Sequence, residues 1–282
     1  HVTMLQRSPT YVAALPAEDT AALWLQRHLP QTWAYALTRW KRVLWGMAIF
    51  QMCRRNPDGM KHLLLARARA ALPTGFDVGK HFTPHYNPWE QRLCLAPDGD
   101  LFKAIRSGKA SVVTDQIDQI TETGITLQSG EQLDADLIVT ATGLNLQVFG
   151  GVQLTVDGLR VDPARTMAYK GFLFSGLPNF ASCFGYTNAS WTLKADLTSQ
   201  FLCRLLTHMR RKGFTQCVPR NDDAALAELP WVDFSSGYFQ RALDRLPRQG
   251  SRPPWKLQQN YLRDILQLRF GTFNDSALQF RH

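Results

Sequence analysis

The chain has 282 residues, of which 45% are apolar and 20% charged. That composition excludes collagen-like, mucin-like and wholly disordered classes and leaves room for one large domain or two modest ones. Lys and Arg number 32 against 23 Asp and Glu, a net charge of +9 with His neutral, which favours anionic partners without choosing among nucleic acid, an anionic membrane and a phosphorylated cofactor. The five cysteines are widely spaced and form no CxxC pair, a pattern that suits reduced thiols in a cytoplasmic compartment rather than a disulfide framework. The longest apolar stretch, Val43 to Phe50, would span about 12 Å as a helix, well short of the roughly 30 Å hydrocarbon core of a bilayer.

In chain order, His1 to Gln6 reads as a strand that runs straight into a polar turn at Arg7-Ser8-Pro9-Thr10. The chain thus starts on a strand with no lead-in, and it is expected to be a fragment whose N-terminal part is absent. From Pro16 to Leu72 the pattern is helical: Trp33, Leu37, Trp40, Leu44 and Met47 recur at spacings of three and four and are expected to form a core stripe. Arg39, Lys41, Arg42, Arg54 and Arg55 make the same region basic, so the rival reading is an amphipathic helix lying on an anionic membrane. Thr83 to Arg92 is rich in Pro, aromatic and polar residues, as in a structured loop. His81 and His85 have HxxxH spacing, but Pro84 denies the helix that would put both imidazoles on one face, so no metal site is expected.

A β-rich stretch follows at 111–114, 124–127 and 132–133, with Ser129-Gly130 as a hairpin turn. Asp136 to Gly143 is a short apolar run that predicts a buried parallel strand covered on both faces and closed by small residues. After Gly185-Tyr186-Thr187-Asn188-Ala189-Ser190, the leucines and Phe at 193, 197, 201 and 205 predict a helix. Asn188 or Ser190 is its expected cap, Arg210 to Lys212 suit its C-terminus, and Gly213 is its stop. Beyond Cys217 the pattern is mixed, with a turn at Pro253-Pro254 and a short helix over Tyr261 to Phe270.

A strand ending in Gln6-Arg7-Ser8 has a use in dinucleotide sheets, where an Arg just past the second strand accommodates the 2′-phosphate of NADP. Arg7 can make bidentate bonds to such a phosphate and Ser8 can add a hydroxyl, although many strands simply end in a charged residue. The stretches HVTMLQRSPTYV, HFTPHYNPWEQRLC, GKASVVTDQI, DADLIVTATGLNL and GYTNASWTLKADL together resemble the C-terminal portion of a class B flavoprotein monooxygenase. That family comprises Baeyer–Villiger and flavin-containing monooxygenases, and the resemblance is nearest to its ethionamide-activating subgroup. It extends from His1 to about Met209 and into the tail.

The resemblance implies an α/β fold, part of a two-dinucleotide-binding, Rossmann-like flavoprotein with a helical insert. It divides the chain into an NADPH-domain strand and turn (1–15), the insert (16–80), a catalytic-Arg loop with the remainder of the NADPH domain (81–143), the C-terminal part of the FAD domain (144–213) and a tail (214–282). It implies FAD and NADPH as cofactors and a C4a-peroxyflavin that inserts oxygen into a ketone or oxidises a sulfur-containing substrate. The GxGxxG motifs for the two dinucleotides do not occur in these residues. Arg92 matches the arginine beside the flavin that stabilises the anionic intermediate; the alternative is an ordinary surface arginine. Gln91 stands where many relatives have a Lys that helps to hold NADPH. Arg7 and Ser8 match positions that bind the 2′-phosphate, Thr142 and Gly143 the small-residue turn back to the FAD domain, and Asn188, Ser190 and Trp191 the loop and helix start facing the flavin. The small-molecule substrate and O₂ are the implied partners, with no nucleic acid; peripheral membrane contact stays open. The alternatives are an N- or S-oxygenating monooxygenase without Baeyer–Villiger activity, a disulfide-reductase relative (which should carry a CxxC) and a non-enzymatic basic membrane-surface module.

Overall fold

The computed structural model describes residues 1–91 and 93–282. The chain divides into two units, His1–Thr142 and Gly143–His282. The first contains β1 (Val2–Gln6), β2 (Val12–Leu15), α1 (Thr20–His28), α2 (Gln31–Arg55), α3 (Pro57–Ala71), α4 (Val78–Phe82), β3 (Cys94–Pro97), α5 (Asp100–Arg106), β4 (Ala110–Thr114), β5 (Ile117–Ile120), β6 (Gly124–Leu127) and β7 (Gln132–Asp134).

β1 pairs in parallel with β4, Val2 opposite Ala110 and Gln6 opposite Thr114, and β2 pairs in parallel with β3. The strand expected at the start of the chain is therefore present, and its partner lies more than a hundred residues away. β5, β6 and β7 form an antiparallel meander that includes the expected hairpin. Local chemistry ends each helix. Asp19 caps α1 by accepting from the Ala22 amide at 3.1 Å, and Pro30 stands immediately before α2. Asn56 caps α3 from the Gly59 amide at 3.0 Å, with Pro57 in the first turn, where its missing N–H is not needed. The helical stretch from Pro16 to Leu72 is thus three helices. Leu64, Leu65, Phe82, Phe102, Tyr11 and Val112 build the core of this unit.

Two expectations fail here. The stripe on α2 is not core: Trp33 is 66% exposed, and Leu37, Trp40 and Leu44 are also exposed, while Ala34, Val43 and Cys53 are buried instead. At 25 residues α2 is about 37 Å long, and its neighbours α1 and α3 have only nine and 15 residues. Neither neighbour covers the aromatic face. The second failure is the buried strand over Asp136 to Gly143. No strand forms there, and Leu137 and Val139 are 79% and 81% exposed. A parallel strand needs a ladder on its edge and helices on its faces. Among the described residues the β1–β4 ladder has two strands only, and none pairs with 136–143.

The second unit contains β8 (Thr155–Val156), β9 (Leu159–Arg160), β10 (Ala168–Tyr169), β11 (Leu173–Phe174), α6 (Trp191–Lys212), β12 (Gln216–Pro219), β13 (Glu228–Pro230), α7 (Gly237–Gln240), β14 (Arg248–Gly250), α8 (Tyr261–Asp264) and β15 (Leu278–Arg281). Its strands pair antiparallel as β8–β9, β10–β11, β12–β15 and β13–β14. α6 is the helix expected from the apolar repeat, with Leu193, Leu197, Phe201 and Leu205 buried. Gly213 ends it at φ +74°, and the Phe214 amide reaches back to the Met209 carbonyl at 3.0 Å. A π turn over Ile265–Arg269 continues α8. No helix among the described residues is long and apolar enough to cross a membrane.

Core and stripe should respond oppositely to truncation. Phe82→Ala removes a buried ring that packs on Phe76 and Phe102 and should lower unfolding free energy by about 3–5 kcal/mol in denaturant titration. Trp33→Ala should change it by no more than about 0.5 kcal/mol, and a core-sized loss there would show that the aromatic face is covered after all.

Candidate functional site

The carboxyl end of β1 is pinned by a small polar network. Gln6 Nε2 donates to the His81 carbonyl at 2.7 Å and to Thr114 Oγ1 at 2.8 Å, and His81 Nδ1 lies 2.8 Å from the same hydroxyl. Thr114 ends β4, and His81 lies in α4, so three elements meet where the ladder stops. Burial holds the His81 imidazole below its ordinary pKa, with the Lys80 ammonium adding to the effect. Immediately beyond, Arg7 and Ser8 form an exposed bend. A guanidinium and a hydroxyl thus project from a fixed strand end into solvent, an arrangement able to take up a phosphate.

The second group is the start of α6. Thr187, Asn188 and Ala189 make a bend, Ser190 stands in the cap position, and Trp191 is the first helical residue and exposed. Neither expected cap is made. Ser190 makes no side-chain cap bond, its Oγ lying 2.8 Å from Thr192 Oγ1, and the Asn188 side chain donates instead to the Gln259 carbonyl at 2.9 Å. The first turn also lacks an acidic residue. The start of this 22-residue helix therefore has no side-chain cap and no acidic residue of its own in the first turn. Gly185 is needed just before it, because a Cβ there would overlap the Trp191 side chain. That indole also packs on Phe184, with ring centroids 5.0 Å apart.

Behind this turn lies a buried ionic cluster that no sequence pattern announces. Lys194 and Asp264 are 5% and 2% exposed, and Lys194 Nζ is 2.8 Å from Asp264 Oδ2. The hydroxyl of buried Tyr186 donates to the same oxygen at 2.5 Å. Burial pushes the Asp264 carboxyl up from its ordinary value, and Lys194 and Tyr186 pull it back. The three residues span almost eighty positions and sit in no motif, so only the fold brings them together. The Gln6–His81–Thr114 network escaped the sequence for the same reason.

The other expected site residues are placed as follows. Thr142 ends the first unit and Gly143 begins the second at φ +107°, where an L side chain would be strained. Both are exposed, and Arg241 donates to the neighbouring Leu144 carbonyl at 3.2 Å. Arg92 lies outside the described residues. Gln91 forms an isolated bridge with Pro88. Arg7 and Ser8 share one bend of the first unit, and Asn188, Ser190 and Trp191 share one turn of the second. Among the described residues no group of three or more His, Cys, Asp or Glu could hold a metal ion.

No family model matches the chain. It is 55% identical over 280 residues to the FAD-containing monooxygenase EthA of Mycobacterium tuberculosis, a match that takes in 99% of this chain and 57% of that protein. It is 46% identical over 281 residues to the probable FAD-binding monooxygenase AlmA of Acinetobacter baylyi, covering 99% of this chain and 56% of the relative. The chain therefore spans a little over half the length of these curated relatives. Among solved structures it superposes on oxidized steroid monooxygenase bound to NADP with a TM-score of 0.68 at 16% identity, over 99% of this chain and 61% of the other. On cyclohexanone monooxygenase bound to ε-caprolactone the TM-score is 0.63 at 13% identity, over 100% of this chain and 61% of the other. The α/β fold is thus the one found in part of Baeyer–Villiger monooxygenase structures.

His81 makes the first network sensitive to acid. Its folded-state pKa is below the ordinary 6.5, so as pH falls through that value the unfolded chain takes up a proton that the folded chain resists. Stability should be level above about pH 6.5 and fall as pH drops towards the depressed folded pKa. Urea midpoints measured between about pH 7.5 and 5.5 should show that decline, and His81→Asn should flatten it. An unchanged slope in the variant would assign the acid sensitivity to other groups.

Proposed function

We propose that this chain, which by sequence belongs among the EthA-like flavin monooxygenases, contributes to an NADPH- and FAD-dependent enzyme that transfers one oxygen atom of O₂ to a small molecule. The acceptor is a ketone, by Baeyer–Villiger insertion, or a sulfur-containing substrate. The observation that carries this reading is 55% identity to EthA sustained over 99% of the chain, and the donor sets described above support it. Bound FAD, reduced by NADPH, supplies the oxygen activation that amino-acid side chains lack.

The chain's own residues then have three tasks. Arg7 and Ser8 bind the 2′-phosphate of NADPH: the guanidinium makes charge-assisted bonds and the hydroxyl adds a further donor, from a strand end that the Gln6 network keeps in place. The start of α6 fits the electron-rich edge of a flavin, since its positive end is uncapped by any side chain and free of carboxylates in its first turn. Asn188, Ser190 and Trp191 line that approach, and the small-residue turn at Thr142-Gly143 leaves room for the cofactor near the backbone. Arg92 holds a fixed positive charge against the anion that develops as oxygen is transferred, and a guanidinium stays charged throughout the working pH range.

Two substitutions in the complete protein test these roles. Arg7→Ala should raise KM for NADPH far more than for NADH. Loss of one charge-assisted phosphate contact is worth about 1.5–3 kcal/mol, or about 10- to 150-fold; equal effects on both nucleotides would remove Arg7 from the phosphate. Arg92→Ala should still bind FAD and consume NADPH and O₂, while product formation falls by about 10²-fold and hydrogen peroxide appears in its place. Stopped-flow absorbance with a parallel peroxide assay reads both quantities, and wild-type product yield per NADPH would remove Arg92 from the oxygen-transfer step.

A further inference from the structure

The turn that leads into α6 is held almost entirely by a segment about seventy residues further along the chain. Tyr186 donates to Asp264, the Thr187 amide donates to Gln259 Oε1 at 3.2 Å, Asn188 Nδ2 donates to the Gln259 carbonyl at 2.9 Å, and Lys194 is paired with Asp264. Lys194 is the fourth residue of α6, so the ion pair grips the first turn of the helix from inside while Gln259 grips the loop in front of it. The segment is itself anchored further along α6: Arg204 donates to the carbonyls of Leu268, Arg269 and Gly271 at 2.6–2.8 Å. Two cations of a single helix therefore fasten residues 259–271, and that segment in return fixes the helix's own start.

A merely adhesive contact would not need this chemistry. Two opposite charges removed from water are an expensive way to join a loop to a helix, and apolar residues of the same volume would do so at least as well. What a carboxylate with two donors on one oxygen adds is direction: it sets the distance of both Tyr186 and Lys194 from a single point. We propose that Asp264, held between Lys194 and Tyr186 and assisted by Gln259, is a positioning residue that fixes the Tyr186–Trp191 turn, and through it the surroundings of the flavin. This rests on the reading that the turn faces the flavin.

The test uses the complete protein loaded with FAD and compares Tyr186→Phe, Gln259→Ala, Asp264→Asn and Trp191→Phe. Asp264→Asn leaves Lys194 buried without its counter-charge and can fail to fold, so the decision rests on Tyr186→Phe, which deletes one hydroxyl, and on Gln259→Ala. Both should shift the visible absorbance and midpoint potential of the bound flavin and raise peroxide released per NADPH several-fold. KM for NADPH should stay within about twofold, because none of these substitutions removes a group assigned to the phosphate. A purely structural role would lower the melting temperature and leave flavin spectrum, potential and coupling at wild-type values, and that result would overturn the proposal. If those readouts are silent in Tyr186→Phe and Gln259→Ala but move in Trp191→Phe, the turn faces the flavin and the positioning role is wrong. If Trp191→Phe is silent too, the flavin-facing reading fails and takes this proposal with it.

Discussion

A charged lysine and a charged aspartate leave water at tolerable cost only together. Breaking such a pair by removing one partner typically costs about 3–5 kcal/mol, because the remaining charge is stranded in a low-dielectric interior. In the second unit this constraint links Lys194 on α6 to Asp264 at the end of α8, and the rest of the local architecture follows from it. The chain between them has to return to the start of α6, and Tyr186 has to sit where its hydroxyl can meet the same carboxylate oxygen. Gln259 then lies within reach of two groups of the leading turn. The aromatic residues around the cluster keep water away from the pair, with Tyr186 and Tyr261 in edge contact at 6.5 Å between centroids. The uncapped end of α6 is exposed on one side and tethered to a buried charge on the other.

In the first unit an analogous role falls to Asp19. It caps α1 through the Ala22 amide and reaches Lys41 and Arg42 on α2, and the Lys41 hydrogen bond is the main reason that its carboxyl titrates below the ordinary range. α2 carries five Lys and Arg and no acidic residue, so Asp19 supplies a carboxylate to its middle from outside the helix. Because the ion pairs are open to solvent, they guide the arrangement more than they stabilise it.

The features that could be read from the sequence are the local ones. α6 was legible because a four-residue apolar repeat, a basic last turn and Gly213 all point to the same helix, and β1 because alternation runs unbroken into Arg7-Ser8. The resemblance to flavin monooxygenases was legible because five separate stretches keep their order and approximate spacing. Burial was not legible. The α2 stripe has core periodicity, but periodicity states which residues share a face and is silent on whether another element covers it. The same holds for 136–143, whose composition suits a strand only when neighbours exist to pair with it. The Lys194–Asp264–Tyr186 cluster and the Gln6–His81–Thr114 network were invisible because each joins residues whose proximity the fold alone creates.

The uncovered segment at Leu137-Ile138-Val139 bears on how this chain behaves by itself. Its apolar side chains are in water, and its backbone amides and carbonyls take part in no ladder among the described strands. Such a stretch accepts whatever strand is offered, including the same stretch of another molecule. Association of the isolated 282 residues at high concentration would therefore report an unmet need for a sheet. An oligomer seen under those conditions should be judged by whether capping this segment abolishes it.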